Sequence, residues 1–146
     1  PTMAALSSRT LPSLDAIWQG IYTPQVIVVN LGTNDFGTEV PGMGFDTAYL
    51  ALLAKLRTEN PNATIIAAIG GMLEPDRLMK LKNRVNAVVA KRRAAGDNKT
   101  LFAYFDPPGS GRRYGCDWHP GKDAQIYMAQ TLQAIIRQSL GWSLRD

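Results

Sequence analysis

The stretch Val26-Ile27-Val28-Val29-Asn30-Leu31-Gly32-Thr33-Asn34-Asp35 decides the fold, because it runs an almost unbroken apolar segment straight into a polar turn. Apolar residues without period-two alternation are the pattern of a parallel strand buried on both faces. Gly32 then allows the backbone to turn sharply. Thr64-Ile65-Ile66-Ala67-Ala68-Ile69 and Leu101-Phe102-Ala103-Tyr104-Phe105 read the same way, so three buried strands are expected. Between the first two, Phe45, Tyr49, Leu52, Leu53 and Leu56 recur at helical spacing, and Asn60-Pro61-Asn62 supplies the stop. The next helix carries Leu78, Leu81, Val85, Val88 and Val89 on one face, with Gly96 suited to a left-handed C-terminal cap. A last helix carries Ala124, Met128, Leu132, Ile135 and Ile136. Ahead of the first strand, Leu14, Ile17, Trp18 and Ile21 predict a short helix capped by Ser13.

Strands alternating with helices predict right-handed crossovers and a parallel sheet covered on both faces, a three-layer α/β/α sandwich. Ligands in such sheets sit beyond the carboxyl ends of the strands, where Asn34 emerges. The loops Gly70-Gly71-Met72 and Asp106 to Trp118 should open on the same edge. Asn34 is therefore expected near His119, although 85 positions separate them.

At 146 residues and 45% hydrophobic, the chain suits one domain, residues 1–146, and is too short for two ordinary ones. The single cysteine, Cys116, excludes an intramolecular disulfide and a cysteine-built metal site. No run approaches the roughly 18 apolar residues of a membrane span, so no membrane role is expected. The net charge of +4 invites a nucleic-acid reading. Lys80, Lys82, Arg84, Lys91, Arg92 and Arg93, however, fall on one predicted helix, where they are expected to form its solvated face. No aromatic residues interleave them as a base-stacking surface requires, and no nucleic-acid partner is expected.

The chemistry-bearing residues fall in two motifs. Gly32-Thr33-Asn34-Asp35 ends the first strand, and Asp117-Trp118-His119-Pro120, which holds the only histidine, precedes the last helix. Asn34 reads either as an oxyanion donor or as a turn residue bonding its own chain. Asp35 reads as a residue fixing that loop by bonding its backbone. Trp118 reads as a platform for a sugar ring or as an aromatic packed under its loop. Arg112 and Arg113 read more simply as solvated loop charge than as an anion site. One histidine with Asp15, Asp76, Asp106 and Asp117 scattered along the chain gives no zinc-ligand spacing, so no metal is expected. Gly109-Ser110-Gly111 is followed by Arg112-Arg113 and lacks the Lys-Ser or Lys-Thr of a phosphate loop. Cys116 is not placed for activation by His119 as a nucleophile.

The ordered pair of motifs resembles the SGNH (GDSL-type) hydrolase superfamily, whose third block reads Gly-x-Asn-Asp and whose fifth puts His-Pro before the final helix. The fuller strings Val29 to Phe36 and Gly115 to Pro120 are most similar to carbohydrate esterase family 2. That resemblance implies a flavodoxin-like α/β fold and a cofactor-free serine esterase acting on acetylated oligo- or polysaccharides outside the cell or in the periplasm. It implies that His119 is the general base, that Asn34 is an oxyanion donor shaped by Gly32, and that Trp118 binds substrate. The superfamily's Gly-Asp-Ser nucleophile block is not recognisable, and Ser7, Ser8, Ser13 and Ser110 do not follow a predicted strand. The resemblance thus implies the C-terminal part of an SGNH domain, without its first two βα units. The strand from Val26 would then expose an apolar edge, inviting self-association or cover by an N-terminal segment. Cys116 stands three before His119, where most SGNH hydrolases place the triad acid, and Asp117 stands two before it. That spacing suits a serine–histidine dyad oriented by a backbone carbonyl, with Asp117 helping electrostatically. A lipase or thioesterase on the same fold, and a carbohydrate-binding remnant without catalysis, are the alternatives.

Overall fold

In the computed structural model, described for residues 3, 7, 23–107 and 114–143, the chain runs through strand β1 (Val26–Asn30) and helix α1 (Gly44–Glu59) to strand β2 (Thr64–Ile69). Helix α2 (Pro75–Ala94), strand β3 (Thr100–Tyr104), a 3-10 turn (Cys116–Trp118) and helix α3 (Lys122–Leu140) follow. The helix expected around Ser13, together with Ser8, Ser110, Arg112 and Arg113, lies outside the described residues.

The strands form a parallel sheet in the order β1-β2-β3, with Val26 opposite Thr64 and Ile69 opposite Tyr104. Both crossovers step the same way across the sheet, so connections of one hand place α1 and α2 on one face. On that face Val29, Ile65, Ala67 and Ile69 meet Leu53, Leu81, Val85 and Val88. Alternation along β2 turns Ile66 and Ala68 the other way, where Met128, Leu132, Ile135 and Ile136 of α3 cover them. Ile65, Ile66 and Ile69 are wholly buried, each stabilising the fold by about 1.5–3 kcal/mol relative to an exposed side chain. Among the described residues no helix is long and apolar enough to cross a membrane.

The helix punctuation falls where the residues direct it. The Asn60 N–H and side-chain amide both donate to Leu56 O, closing α1. Pro75 occupies the first turn of α2, where its missing N–H leaves no bond unmade. Gly96, just past the end of α2, has φ +92°, open to glycine at little strain.

Two expectations need correction. Of the described strands only β2 is buried along its whole length; β1 and β3 are the edges of the described sheet, and Val28 is 41% exposed. An apolar run cannot distinguish a central strand from an edge one, because it does not say which strands pair. The basic residues of α2 also do not form a simple solvated face. Arg84 is paired with Asp46, Arg92 with Asp97, and Lys82 Nζ lies 4.1 Å from the Tyr104 ring centre. Long cationic side chains reach over their own helix to acceptors on neighbouring segments, which spacing along one helix does not reveal.

Asp97 closes the edge of the sheet remote from the strand carboxyl ends. Its carboxylate accepts from Arg57 Nε at 3.0 Å, Arg92 Nη2 at 2.8 Å and Thr100 Oγ1 at 2.8 Å. Burial opposes its ionisation, but the hydrogen bonds from Arg57, Arg92 and Thr100 outweigh burial and bring its pKa down from 3.8 to about 2. A carboxyl more acidic in the folded than in the unfolded chain stabilises the fold above the unfolded pKa and loses that effect as pH falls through the folded one. Between about pH 4 and pH 2 the protein is therefore expected to lose roughly 1–2 kcal/mol through this group. Asp97→Asn should remove that stability at neutral pH and flatten this part of a pH series of urea unfolding curves. An unchanged acid limb in Asp97→Asn would show that other carboxyls set it.

Candidate active site

His119 is held by a short, strained loop. Gly115 N–H donates to His119 O at 2.6 Å, His119 N–H donates to Cys116 O at 3.0 Å, and Tyr114 bridges Pro120 in antiparallel fashion. Pro120 favours extended backbone in the residue before it, and His119 has φ −68° and ψ 149°. Between these anchors Asp117 (φ 49°) and Trp118 (φ 60°) are both left-handed, a conformation that costs a residue with a Cβ roughly 1–2 kcal/mol. This pair of left-handed residues turns two backbone carbonyls onto the imidazole. His119 Nδ1 lies 3.2 Å from Cys116 O and 3.1 Å from Asp117 O.

That geometry fixes the tautomer. Carbonyl oxygens only accept, so Nδ1 must carry the proton it donates to them. The neutral ring then has an unprotonated Nε2, which makes no hydrogen bond among the described residues. The Asp117 side chain takes no part in this, having neither a hydrogen bond nor an ion pair with the imidazole among the described residues. Trp118 is 74% exposed, and its ring meets the Tyr114 ring edge-on at 5.8 Å, so it is not packed under its own loop. Cys116 is exposed and free.

The segment carrying Asn34 leaves the carboxyl end of β1. Gly32 has φ +112° and lies so close to the Leu81 side chain that a Cβ would sit 2.5 Å from Leu81 Cδ1. Phe36 N–H donates to Gly32 O at 3.1 Å and Gly37 N–H to Asn34 O at 3.2 Å. The Asn34 side chain is exposed, and its amide bonds nothing among the described residues. Asn34 is also not among the residues of positive φ. Neither feature is what a residue chosen only for its turn would show. Asp35 differs from expectation: its carboxylate makes no hydrogen bond among the described residues, and backbone bonds and buried Phe36 hold the turn instead.

Asn34 and His119 thus lie on segments that leave the same edge of the sheet, after β1 and between β3 and α3. These strands are second neighbours, about 10 Å apart at the usual strand spacing. No hydrogen bond joins the two side chains among the described residues. Of the candidate serines only Ser7 is described, and it accepts from Lys55 Nζ at 3.2 Å. No three His, Cys, Asp or Glu side chains are grouped to hold a metal ion among the described residues. Arg77 and Arg84, the latter expected on the solvated face, both reach the Asn34 segment from α2; their spacing along one helix face is the signal the sequence carries.

A parallel α/β sheet with a glycine turn after its first described strand and a His-Pro step just before its last helix has the architecture of the SGNH fold. The model of the GDSL-like lipase/acylhydrolase family matches residues 2–137, and the chain belongs to that family. It is 38% identical over 135 residues to the cellulase/esterase CelE of Acetivibrio thermocellus, an alignment covering 91% of this chain and 17% of that protein. It is 29% identical over 123 residues to an acetylxylan esterase/glucomannan deacetylase of Cellvibrio japonicus, covering 83% of this chain and 32% of that protein. A solved family 2 carbohydrate esterase from Clostridium thermocellum in complex with cellohexaose superposes with a TM-score of 0.93 at 36% identity. That superposition covers 98% of this chain and 45% of the other. The chain therefore spans less than half the length of each of these relatives.

Proposed function

We propose that these residues form the base and oxyanion side of a serine carbohydrate esterase site that removes O-acetyl groups from plant polysaccharides. The observation that carries the reading is the imidazole of His119, fixed by two backbone carbonyls so that Nε2 is the basic nitrogen. Nε2 takes the proton of an attacking serine hydroxyl as the hydroxyl oxygen adds to the acetyl carbonyl. The carbonyl oxygen becomes an oxyanion, to which the Asn34 amide donates. The protonated ring then returns its proton to the sugar oxygen as the acyl bond to it breaks, and water releases acetate by the same steps in reverse. The attacking serine is not assigned to a residue of this chain.

Asp117 contributes its backbone carbonyl, where a triad would use a carboxylate. Trp118 offers an exposed indole face beside the base, suited to stacking on a sugar ring. The similarity to CelE, to an acetylxylan esterase/glucomannan deacetylase and to an esterase solved with cellohexaose supports an acetylated glycan as substrate. The test is acetate release by the full-length gene product from acetylated xylan and glucomannan, compared with hydrolysis of long-chain 4-nitrophenyl esters. Preference for long acyl chains would replace the glycan reading with a lipase one.

The tautomer is checked in this chain directly, since it holds a single histidine. Long-range proton–nitrogen spectra at alkaline pH should show Nδ1 protonated and Nε2 bare. The reverse assignment would remove the basis for His119 as base.

A further inference from the structure

Asn34 sits midway between two buried anchors, and both are held from one row of α2. Arg77, Leu81 and Arg84 are four and then three residues apart, so they stand above one another on a single helix face. Leu81 presses on Gly32, two residues before Asn34. Arg77 Nη1 donates to Gly37 O, three residues after it. Arg84 reaches furthest: Nε donates to Asp46 Oδ1 at 2.8 Å, Nη2 to Gly42 O at 2.7 Å, and Nη1 to Pro41 O. Its Cζ lies over the Phe45 ring, 5.1 Å from the ring centre, and over that of Phe36 at 5.8 Å. Phe36, wholly buried two residues after Asn34, is packed edge-on against Phe45 at 5.3 Å.

We propose that Arg84, seconded by Arg77, is a positioning residue that sets the Asn34 amide at the oxyanion; this rests on the reading of Asn34 given above. The segment from Leu31 to Met43 has no helix or strand of its own. Two backbone bonds, Phe36 N–H to Gly32 O and Gly37 N–H to Asn34 O, close its turn, and the contacts from α2 anchor that turn to the rest of the fold. Arg84 closes the far end of the segment on Pro41 and Gly42 and lies over the rings of both Phe36 and Phe45. An exposed amide that bonds nothing holds its aim only if the backbone on either side is rigid, and catalysis is sensitive to ångström-scale misplacement. A planar fork serves three acceptors and two rings at once, whereas a lysine ammonium serves one or two of them.

The test compares Arg84→Met, Arg84→Lys, Arg77→Met and Asn34→Ala, singly and with Asn34→Ala added to each arginine variant. In this chain, amide exchange should lose protection at Phe36 and Gly37 in Arg84→Met and Arg84→Lys, with Ile65 in β2 still protected. In the full-length gene product, kcat for acetyl esters should fall roughly 10- to 100-fold with KM within about twofold. Lysine should not rescue, and Arg84→Met with Asn34→Ala should be no worse than Asn34→Ala alone. Wild-type kcat and protection in Arg84→Lys, or losses that multiply in the double variant, would overturn the proposal. Should Arg84→Met fail to fold, Arg77→Met reads out the same clamp. If Asn34→Ala itself leaves kcat unchanged, the oxyanion reading fails; if Asn34→Ala lowers kcat and the arginine variants do not, only the positioning role fails.

Discussion

Replacing His119 with alanine in the full-length gene product is expected to lower kcat/KM for acetyl esters by about 10³–10⁶-fold. Fold stability should change little, because the side chain is exposed and its ring bonds only two backbone carbonyls. Asp117→Asn separates this arrangement from a triad. Among the described residues no hydrogen bond or ion pair joins the carboxylate to the ring, and the substitution leaves the Asp117 carbonyl in place, so activity should stay within roughly threefold of wild type. A loss in Asp117→Asn comparable to that in His119→Ala would show the carboxylate orienting the base, and the carbonyl-held imidazole would no longer explain catalysis. Thermal unfolding of each variant beside its kinetics keeps a folding defect from being read as a chemical one.

Asn34→Ala is expected to lower kcat by about 10²–10³-fold with KM nearly unchanged, since its amide is called on only as the carbonyl oxygen becomes an anion. Asn34→Asp keeps the shape of the side chain but turns a donor into an anionic acceptor facing the oxyanion, and should be at least as damaging. Neither should shift the unfolding free energy by more than about 0.5 kcal/mol, because the exposed side chain makes no hydrogen bond that would be lost. A rise in KM with kcat preserved would move Asn34 from the oxyanion to ground-state substrate binding.

Much of this protein is legible residue by residue. The run from Thr64 to Ile69 gives β2 to the residue, because a parallel strand buried on both faces reads as a near-continuous apolar, β-branched run. The periodicity of Leu78, Leu81, Val85, Val88 and Val89 gives the buried face of α2, and Gly96 marks its end. The two candidate motifs are legible for a related reason: each sits where a strand or helix ends, and the residues that punctuate such ends are few.

Other features are not written in any local stretch. The residues Val26 to Asn30 do not themselves say that β1 lies at the edge of the described sheet, an expectation that comes only from the family resemblance, because pairing depends on segments distant in the chain. The basic residues of α2 look solvated along the helix, yet Arg84 is committed to Asp46, Pro41 and Gly42 across about forty positions.

The sequence by itself determined the strand-helix alternation, the sheet edge where Asn34 and His119 emerge, and the family to which the two motifs point. All three follow from period, punctuation and order along the chain. Only the tertiary structure decided that backbone carbonyls at Cys116 and Asp117 orient His119, and that α2 grips the Asn34 segment through Arg77, Leu81 and Arg84. Those outcomes depend on backbone dihedrals and on hydrogen bonds between distant segments, which form only once the sheet has brought the segments together.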